Sequence, residues 1–510
     1  MRGPFNLWRL IRTGATFERT GAMDVVLEKM MVPPRLRFVA RVLGWPFKPL
    51  GLKGDPELPP LTRALTALGP AYIKLGQTLA TRPDVVGQEL ADQLRYLQDK
   101  LPPFPRAKAM ETIAEELERP VEEVFSEFSE PVAAASIAQV HAATLAESGA
   151  KVAVKVLRPG VDRAFRTDID AFYFAAGMIE WLLPSTRRLR PLDVIQHFES
   201  VVDGELDLRL EAASAAEFAA NTENDAGFSV PRPNWAFSSR RVLTLGWAEG
   251  VAMGDNAALD ALGIDRNELG IRVLTLFLRH ALRDGFFHGD MHQGNLKVTA
   301  TGEIIALDFG IMGRIDSFTR RAYAEILFGF IRKDYQRVAE VHFEAGYVPP
   351  DRDIDEFARA LRSVGEPIFG MDARHISMAK LLAYLFEVTE RFGMETRTEL
   401  ILLQRTMVVV EGVARSLNPE INMWRVARPV VEEYIRESIG PKALAGDLAQ
   451  TARILTRFGP HLPRLVEEAL IAQAHRGPRT QPSPQRIGPV GWAALGGGLV
   501  GLGVVIGALI

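Results

Sequence analysis

Leu7, Leu10 and Ile11 recur at helical spacing near the start of the chain, with Arg9, Arg12 and Arg19 among and beyond them. Residues 1–50 therefore read as helical. A second basic cluster sets Arg35, Arg37 and Arg41 among Leu36, Phe38 and Val39. Residues 61–100 continue in helical rhythm, with Pro83 at a favourable early position and Pro102-Pro103 as a stop. An acidic helical stretch follows over 106–128. At Pro131 the period shortens. Residues 138–145 and 151–157 alternate or run apolar on either side of Gly149, which predicts a hairpin ending in a β-branched run. Helical spacing returns from Asp162 and again over 193–220. A short strand is expected near 241–245. The mostly helical second half is interrupted by a hairpin over 296–307, with Gly302 in its turn. The pattern divides the chain into a helical N-terminal extension (1–130), a sheet-plus-helix lobe (131–250), a mostly helical lobe (251–476), and a linker with a tail (477–510). The fold class is α+β.

The tail differs from everything before it. No residue from Ile487 to Ile510 is charged, and the stretch is long enough at helical rise to cross a hydrocarbon core of ~30 Å. Trp492 lies near its start, after a Pro-rich linker carrying Arg476, Arg479 and Arg486. These features predict a C-terminal transmembrane helix with the body of the protein on the cytoplasmic side. Gly497 with Gly501, and Gly503 with Gly507, would allow a homo-oligomer through the tail. The basic N-terminal helices fit either contact with membrane lipids or a solvated face packed on the body. Charges interrupt the apolar residues at the N-terminus, so no signal peptide is expected.

With 60 Lys plus Arg against 63 Asp plus Glu, the net charge is only -3. A general nucleic-acid coat is not expected from that balance. The chain has no cysteine, which excludes disulfides, cysteine-ligated zinc, iron–sulfur clusters and thiol catalysis.

The chemistry-bearing stretch runs from His288 to Asn295 (HGDMHQGN) and is followed, across the hairpin, by Asp308-Phe309-Gly310. Asp290, Asn295 and Asp308 can position an oxygen nucleophile and hold a divalent metal against a triphosphate. Lys155 sits mid-strand among apolar neighbours, where a lysine must face solvent, pair with an acid or meet an anion. Glu211, on the helix that follows, is its natural partner. His288 reads as a structural loop residue, and nothing in its string gives His292 a proton-transfer task.

Several long strings resemble the UbiB family of atypical protein-kinase-like proteins, over about residues 7–430 and in the character of the tail. They are AYIKLGQTLATRPD, PVAAASIAQVHAATL, VAVKVLRPG, ELDLRLEAAS, HGDMHQGN and LDFGIMGR. The resemblance implies an atypical kinase-like two-lobe fold. It places Lys74 and Gln77 on a signature helix over the nucleotide pocket, and Glu205 and Asp207 in an acidic motif that engages that helix. Ala133, Ala134, Ala135 and Ser136 would replace the Gly-rich phosphate loop of ordinary kinases. Lys155 and Glu211 would form the phosphate-side ion pair, Asp290 the catalytic-loop aspartate, and Asn295 and Asp308 the metal ligands. The implied ligands are ATP or ADP with Mg2+. The implied role is a membrane-associated kinase or ATPase supporting ubiquinone biosynthesis at the bacterial inner membrane, with ubiquinone precursors and biosynthetic enzymes as partners. A nucleotide-gated, mainly noncatalytic regulator or lipid-access scaffold is the alternative. Alanine carries a Cβ where glycine has none, so this loop should approach phosphate less freely. Met291 and Gln293 stand where the family string carries prolines, Ser214 where it often carries asparagine, and Gly246 where an acid is frequent.

Overall fold

A computed structural model describes residues 4–29, 34–80, 103–135, 137–182, 191–370 and 398–439, with positions 90, 93, 94, 97, 388 and 391–394. The described residues separate into two compact units: those up to Ala212 with Pro233–Trp247, and Ala213–Arg232 with those from Ala248 to Ile439.

The first unit opens with helices Pro4–Thr20, Ala22–Lys29 and Pro34–Gly44 and a tight turn of helix at Trp45–Leu50. The helical rhythm from residue 61 is divided into Pro60–Leu68 and Pro70–Ala80. Gly69 makes the break, at a φ of 114° that favours glycine, and its N–H reaches back to Leu65 O at 3.2 Å. Pro70 then starts the next helix without wasting a donor. Leu10, Phe17, Leu65 and Tyr72 share one apolar core with Phe165 and Phe172 of helix Val161–Leu182 and Phe198 of helix Pro191–Glu205.

Strands Phe125–Ala134, Ala138–Leu145, Lys151–Leu157 and Val242–Gly246 form an antiparallel sheet in that order. Val152, Val154 and Val156 pack with Phe125, Phe128 and Ile113 on one face. Period-two alternation turns Lys155 to the other face. The first strand begins at Phe125, earlier than the change of texture at Pro131. Register shifts between Phe125 and Glu127, Phe128 and Pro131, and Pro131 and Ala133 break its alternation, which hides the strand from a period-two reading. The helix expected over 193–220 is two helices, Pro191–Glu205 and Leu208–Asn221. Asp207 Oδ1 accepts from Arg209 N at 3.1 Å and caps the second.

The second unit has a sheet ordered Phe228–Ser229, Ile304–Ala306, Leu296–Val298, Val251–Ala252, and a pair of strands, Met312–Arg314 with Phe286–His288. Helices Arg266–Arg279, Ser317–Arg332, Tyr335–Glu344, Ile354–Gly370, Thr398–Leu417 and Met423–Ile439 complete it. Asp308-Phe309-Gly310 leads almost directly into strand Met312–Arg314 and then a helix capped by Asp316. Phe218 and Phe309 meet in this unit's aromatic core, ring centres 6.2 Å apart.

The expected C-terminal transmembrane helix requires correction. Among the described residues no helix is long and apolar enough to cross a membrane. The longest, Val161–Leu182, carries Asp162, Arg163, Arg166, Asp168, Asp170 and Glu180, and Thr398–Leu417 carries Arg405, Glu411 and Arg415. Charges at that density forbid burial in hydrocarbon. The stretch 487–510, on which the helix was read, lies outside the described residues. The fold is accordingly a mixed α+β fold with a helical extension. The membrane-associated activity and the bacterial inner-membrane location, read from the tail, the basic N-terminal helices and the family resemblance, are withdrawn with that helix, since no described helix supports them.

Candidate nucleotide site

Each unit carries part of the expected constellation. In the first, Lys155 is paired across its sheet with Val140 and Leu243. Its Nζ donates to both Glu211 oxygens at 2.9 Å. The side chains are 17% and 8% exposed. A carboxylate gripping the ammonium from one side fixes where its remaining hydrogens point, and keeps a poorly solvated charge from being alone.

Lys74, on helix Pro70–Ala80, forms an ion pair with Glu205 at the end of helix Pro191–Glu205. Gln77 Nε2 donates to Leu97 O at 2.9 Å. Gly76, between them, is there for packing: a Cβ would lie 2.2 Å from Leu97 Cδ1 and 2.8 Å from Leu65 Cδ1. Asp207 turns to Arg209 instead, with Arg209 Nε and Nη2 donating to its two oxygens at 2.8 and 2.6 Å. These bonds from Arg209 hold its carboxyl below the usual carboxylate range. Glu205 thus meets the Lys74 helix and Asp207 does not.

Ala133 and Ala134 end the first strand opposite Val140 and Gln139. Ala135 N donates to Ala138 O at 2.8 Å, closing a tight turn. Ser136 lies outside the described residues.

In the second unit the loop from His288 to Asn295 is held by backbone bonds and a buried imidazole. His288 Nδ1 accepts from Asp290 N at 3.0 Å, so the ring proton sits on Nε2, which donates to Leu307 O at 2.9 Å. One neutral ring therefore ties Asp290 to the residue before Asp308. Burial pushes the His288 pKa down and keeps the ring neutral. Asn295 Nδ2 donates to Asp290 O at 3.0 Å. Thr406 Oγ1 donates to Gly289 O at 2.9 Å, and Gln293 donates to Ser416. Gly289 cannot carry a side chain, since a Cβ would come 2.9 Å from Ile311 Cγ2 and 3.0 Å from Ile311 O. His292 is half exposed, with its Nε2 3.6 Å from Asp290 Oδ2.

Asp308 is exposed, while Phe309 beside it is buried. Its φ is 57°, a left-handed conformation that aspartate tolerates better than most residues. Its Oδ1 accepts from Gly310 N at 3.3 Å. The donor set suits magnesium: Asp308 offers a carboxylate, and Asn295 has its amide nitrogen turned to Asp290, leaving an oxygen as its ligand atom. Among the described residues no group of three or more His, Asp or Glu side chains gathers. Two protein oxygens are what a magnesium ion takes when it shares its shell with nucleotide phosphates.

Sequence reasoning did not find the left-handed Asp308 or the bridging role of His288. A strained φ leaves no mark in composition. The bridge joins residues distant in the chain, and only the reading of His288 as a structural loop residue hinted at it.

Residues 96–342 match the ABC1 atypical kinase-like domain and residues 361–422 the UbiB helical domain. The chain is similar to the "Probable protein kinase UbiB" of Marinobacter nauticus, 37% identical over 479 residues covering 92% of this chain and 86% of the relative. Its likeness to the protein of the same name in Shewanella piezotolerans is 39% over 415 residues, 80% of this chain and 76% of the relative. A solved structure of Rv3197 with erythromycin, from Mycobacterium tuberculosis, aligns at a TM-score of 0.51 and 26% identity, covering 70% of this chain and 90% of that one.

Proposed function

The chain belongs to the UbiB/ABC1 atypical-kinase family, and from that premise we propose that it is a magnesium-dependent ATP- or ADP-binding kinase or ATPase acting in support of ubiquinone biosynthesis. Nucleotide binding in general goes with the kinase-like domain, and association with ubiquinone-pathway components goes with the family. The same proposal includes the division into an extension over 1–130, lobes over 131–250 and 251–476, and a linker with a tail from 477.

The observation that carries the proposal is Lys155 held by both oxygens of Glu211 at 2.9 Å. An ammonium fixed in this way, on the strand face opposite Val152, Val154 and Val156, suits the α- and β-phosphates of a nucleotide. Asp290 is the group that orients the attacking oxygen and receives its proton. Asn295 and Asp308 would hold magnesium, which when bound neutralises charge on the phosphates. Ala133, Ala134 and Ala135 would meet the phosphates with methyl groups in place of bare backbone, and Ser136, expected beside them, lies outside the described residues. Lys74, Gln77 and Glu205 belong to a gate, which the Lys74–Glu205 pair keeps in one position.

The test uses a bacterial strain that lacks its own family member. Parent and Asp290→Asn are expressed at equal level and ubiquinone is quantified, with nucleotide affinity and phosphate release measured on the purified proteins. Restoration by the parent alone, with magnesium-dependent binding retained in both, is the expected result. Full restoration by Asp290→Asn would remove phosphoryl chemistry and leave a nucleotide-gated regulator.

A further inference from the structure

Arg158 lies just past the Lys155 strand, in a string whose family resemblance assigns it no task. Its backbone N–H donates to Ile137 O at 2.8 Å. Its side chain reaches the alanine-rich turn, where Nε and Nη2 donate to Ala135 O at 3.2 and 3.0 Å. A planar guanidinium can aim two hydrogens at one carbonyl; an ammonium cannot hold that carbonyl in a plane. The guanidinium also lies 5.7 Å from the centre of the Phe104 ring, a distance at which cation and ring attract.

Phe104 is itself fixed. Its N–H donates to Gln139 Oε1 at 3.0 Å, and its carbonyl accepts from Gln139 Nε2 at 3.2 Å. The Gln139 amide imitates a strand neighbour for one residue. Gln139 is fully buried, and its second amide hydrogen goes to His141 Nε2 at 2.9 Å. His141 Nδ1 then donates to Ser129 O at 2.8 Å. Gln139 is also the sheet partner of Ala134. The chain of contacts therefore starts and ends on the strand that carries the turn.

We propose that Arg158 is a positioning residue for the alanine-rich nucleotide turn: its forked bond to Ala135 O, backed by Phe104 and Gln139, sets how the turn's backbone is presented to the phosphates of a bound nucleotide. A Gly-rich loop can adjust to phosphate by moving its own backbone. An alanine-rich turn has fewer conformations open to it, so its resting position has to be right beforehand. The Arg158 clamp supplies that position from outside the turn. This inference rests on the nucleotide reading of the site and adds to it a residue that touches no nucleotide.

The experiment uses the full chain with ATP and ADP in magnesium. Parent, Arg158→Gln and Arg158→Lys are compared with Asp308→Asn as a site control. Two quantities are read: amide hydrogen exchange over residues 131–140 without nucleotide, and KM and kcat for nucleotide hydrolysis together with nucleotide affinity. Arg158→Gln is expected to speed exchange in the turn, leave it unchanged in helix Ser317–Arg332, and raise KM and Kd about tenfold with kcat within about twofold. Tenfold is what losing a hydrogen bond from a charged donor delivers. Arg158→Lys keeps the charge and should fall between the two. Faster exchange with unchanged nucleotide affinity would overturn the positioning role, and so would unchanged exchange. If the parent binds no nucleotide and Asp308→Asn behaves identically, the nucleotide reading falls first and this inference with it. If the parent binds and Arg158→Gln binds equally well, this inference alone fails.

Discussion

Lys155 is proposed for phosphate and Asp308 for the metal, and the two units hold these charged groups in opposite ways. The first unit pairs its charges. Lys155 is gripped by Glu211 and Lys74 by Glu205, with all four side chains less than one-fifth exposed. The second unit leaves the Asp308 carboxylate exposed on a backbone of positive φ. It fixes its loop through neutral bonds from His288, Asn295 and Thr406. A cation that must meet an anionic ligand can wait beside a carboxylate, because the ligand's charge adds to an existing pair. A metal-binding carboxylate gains nothing from a resident cation, which would compete with the metal. The units are therefore expected to fail differently: the first through stability, the second through ligand affinity.

The largest expected effect is at Asp308. Asparagine also tolerates the left-handed region, so Asp308→Asn removes charge and keeps the backbone. Magnesium-dependent ATP affinity should fall about a hundredfold or more, the scale of losing a metal-held charge contact. Asp308→Gly should lose affinity as severely while stabilising the fold by about 1 kcal/mol, since glycine relieves the strain. Calorimetric titration and urea unfolding on the same preparations check both. Retained magnesium dependence in Asp308→Asn would remove the metal from this loop.

Next in size is the Lys155–Glu211 pair. Glu211→Ala leaves a poorly solvated ammonium without its carboxylate and should cost about 2–3 kcal/mol in urea unfolding, at the lower end for a pair that keeps some exposure. The double replacement Lys155→Met with Glu211→Leu should recover most of that stability and still bind no nucleotide. Asp290→Asn should change stability by no more than about 0.5 kcal/mol, as a partly exposed substitution usually does. If Glu211→Ala and Asp290→Asn proved equally mild, the contrast between the settings of Lys155 and of the Asp290–Asp308 loop would be lost.

Much of this was legible in the chain. Period-two alternation marked the hairpin at residues 138–145 and 151–157, and the spacing of Asn295 and Asp308 around Gly302 marked the second one. Lys155 stood out as a lone charge in an apolar run, and its partner followed from the next acidic helix. What could not be read depended on three dimensions. The bulged strand from Phe125 lost its alternation to register shifts. The division of residues 193–220 turned on one capping aspartate in a sequence otherwise continuous in period. The apolar tail read as a membrane helix on its length, its hydropathy, Trp492 and the arginines before it, and no described helix supports that reading.

Acid should separate the units further. The second unit buries His280, His288 and His342, against His141 in the first, and desolvation lowers the pKa of each. His342 falls from the ordinary range to about 4. Its Nδ1 donates to Val338 O, and the rings of Tyr347 and Phe357 pack on it. Because the unfolded imidazole takes up a proton near pH 6.5 and the folded one resists until about 4, the unfolded state binds more protons in between. The contribution is complete above pH 6.5 and declines as pH falls. At roughly 1.4 kcal/mol per pH unit, His342 alone should remove about 2 kcal/mol between pH 6.5 and pH 5. His342→Leu should flatten that slope by the same amount. Equal slopes for parent and variant would mean that the ring is already solvated.

The smallest effect is the most specific to the proposed gate. Glu205 and Asp207 belong to one acidic motif, yet Glu205 meets Lys74 and Asp207 meets Arg209. Asparagine caps a helix as well as aspartate does, so Asp207→Asn keeps the start of helix Leu208–Asn221 and loses only an ion pair of little worth, its arginine being 61% exposed. Its unfolding midpoint, nucleotide affinity and ATP-to-ADP preference should all stay at the parent's values. Glu205→Gln also leaves the helices intact, but it removes the charge that holds Lys74. Its ATP-to-ADP preference should shift, and Lys74→Ala should shift it by the same amount and in the same direction. The double variant should then add nothing further, because both changes break one contact. A shift from Asp207→Asn as large as that from Glu205→Gln would show that the motif acts as a unit, through a contact made only when nucleotide is bound.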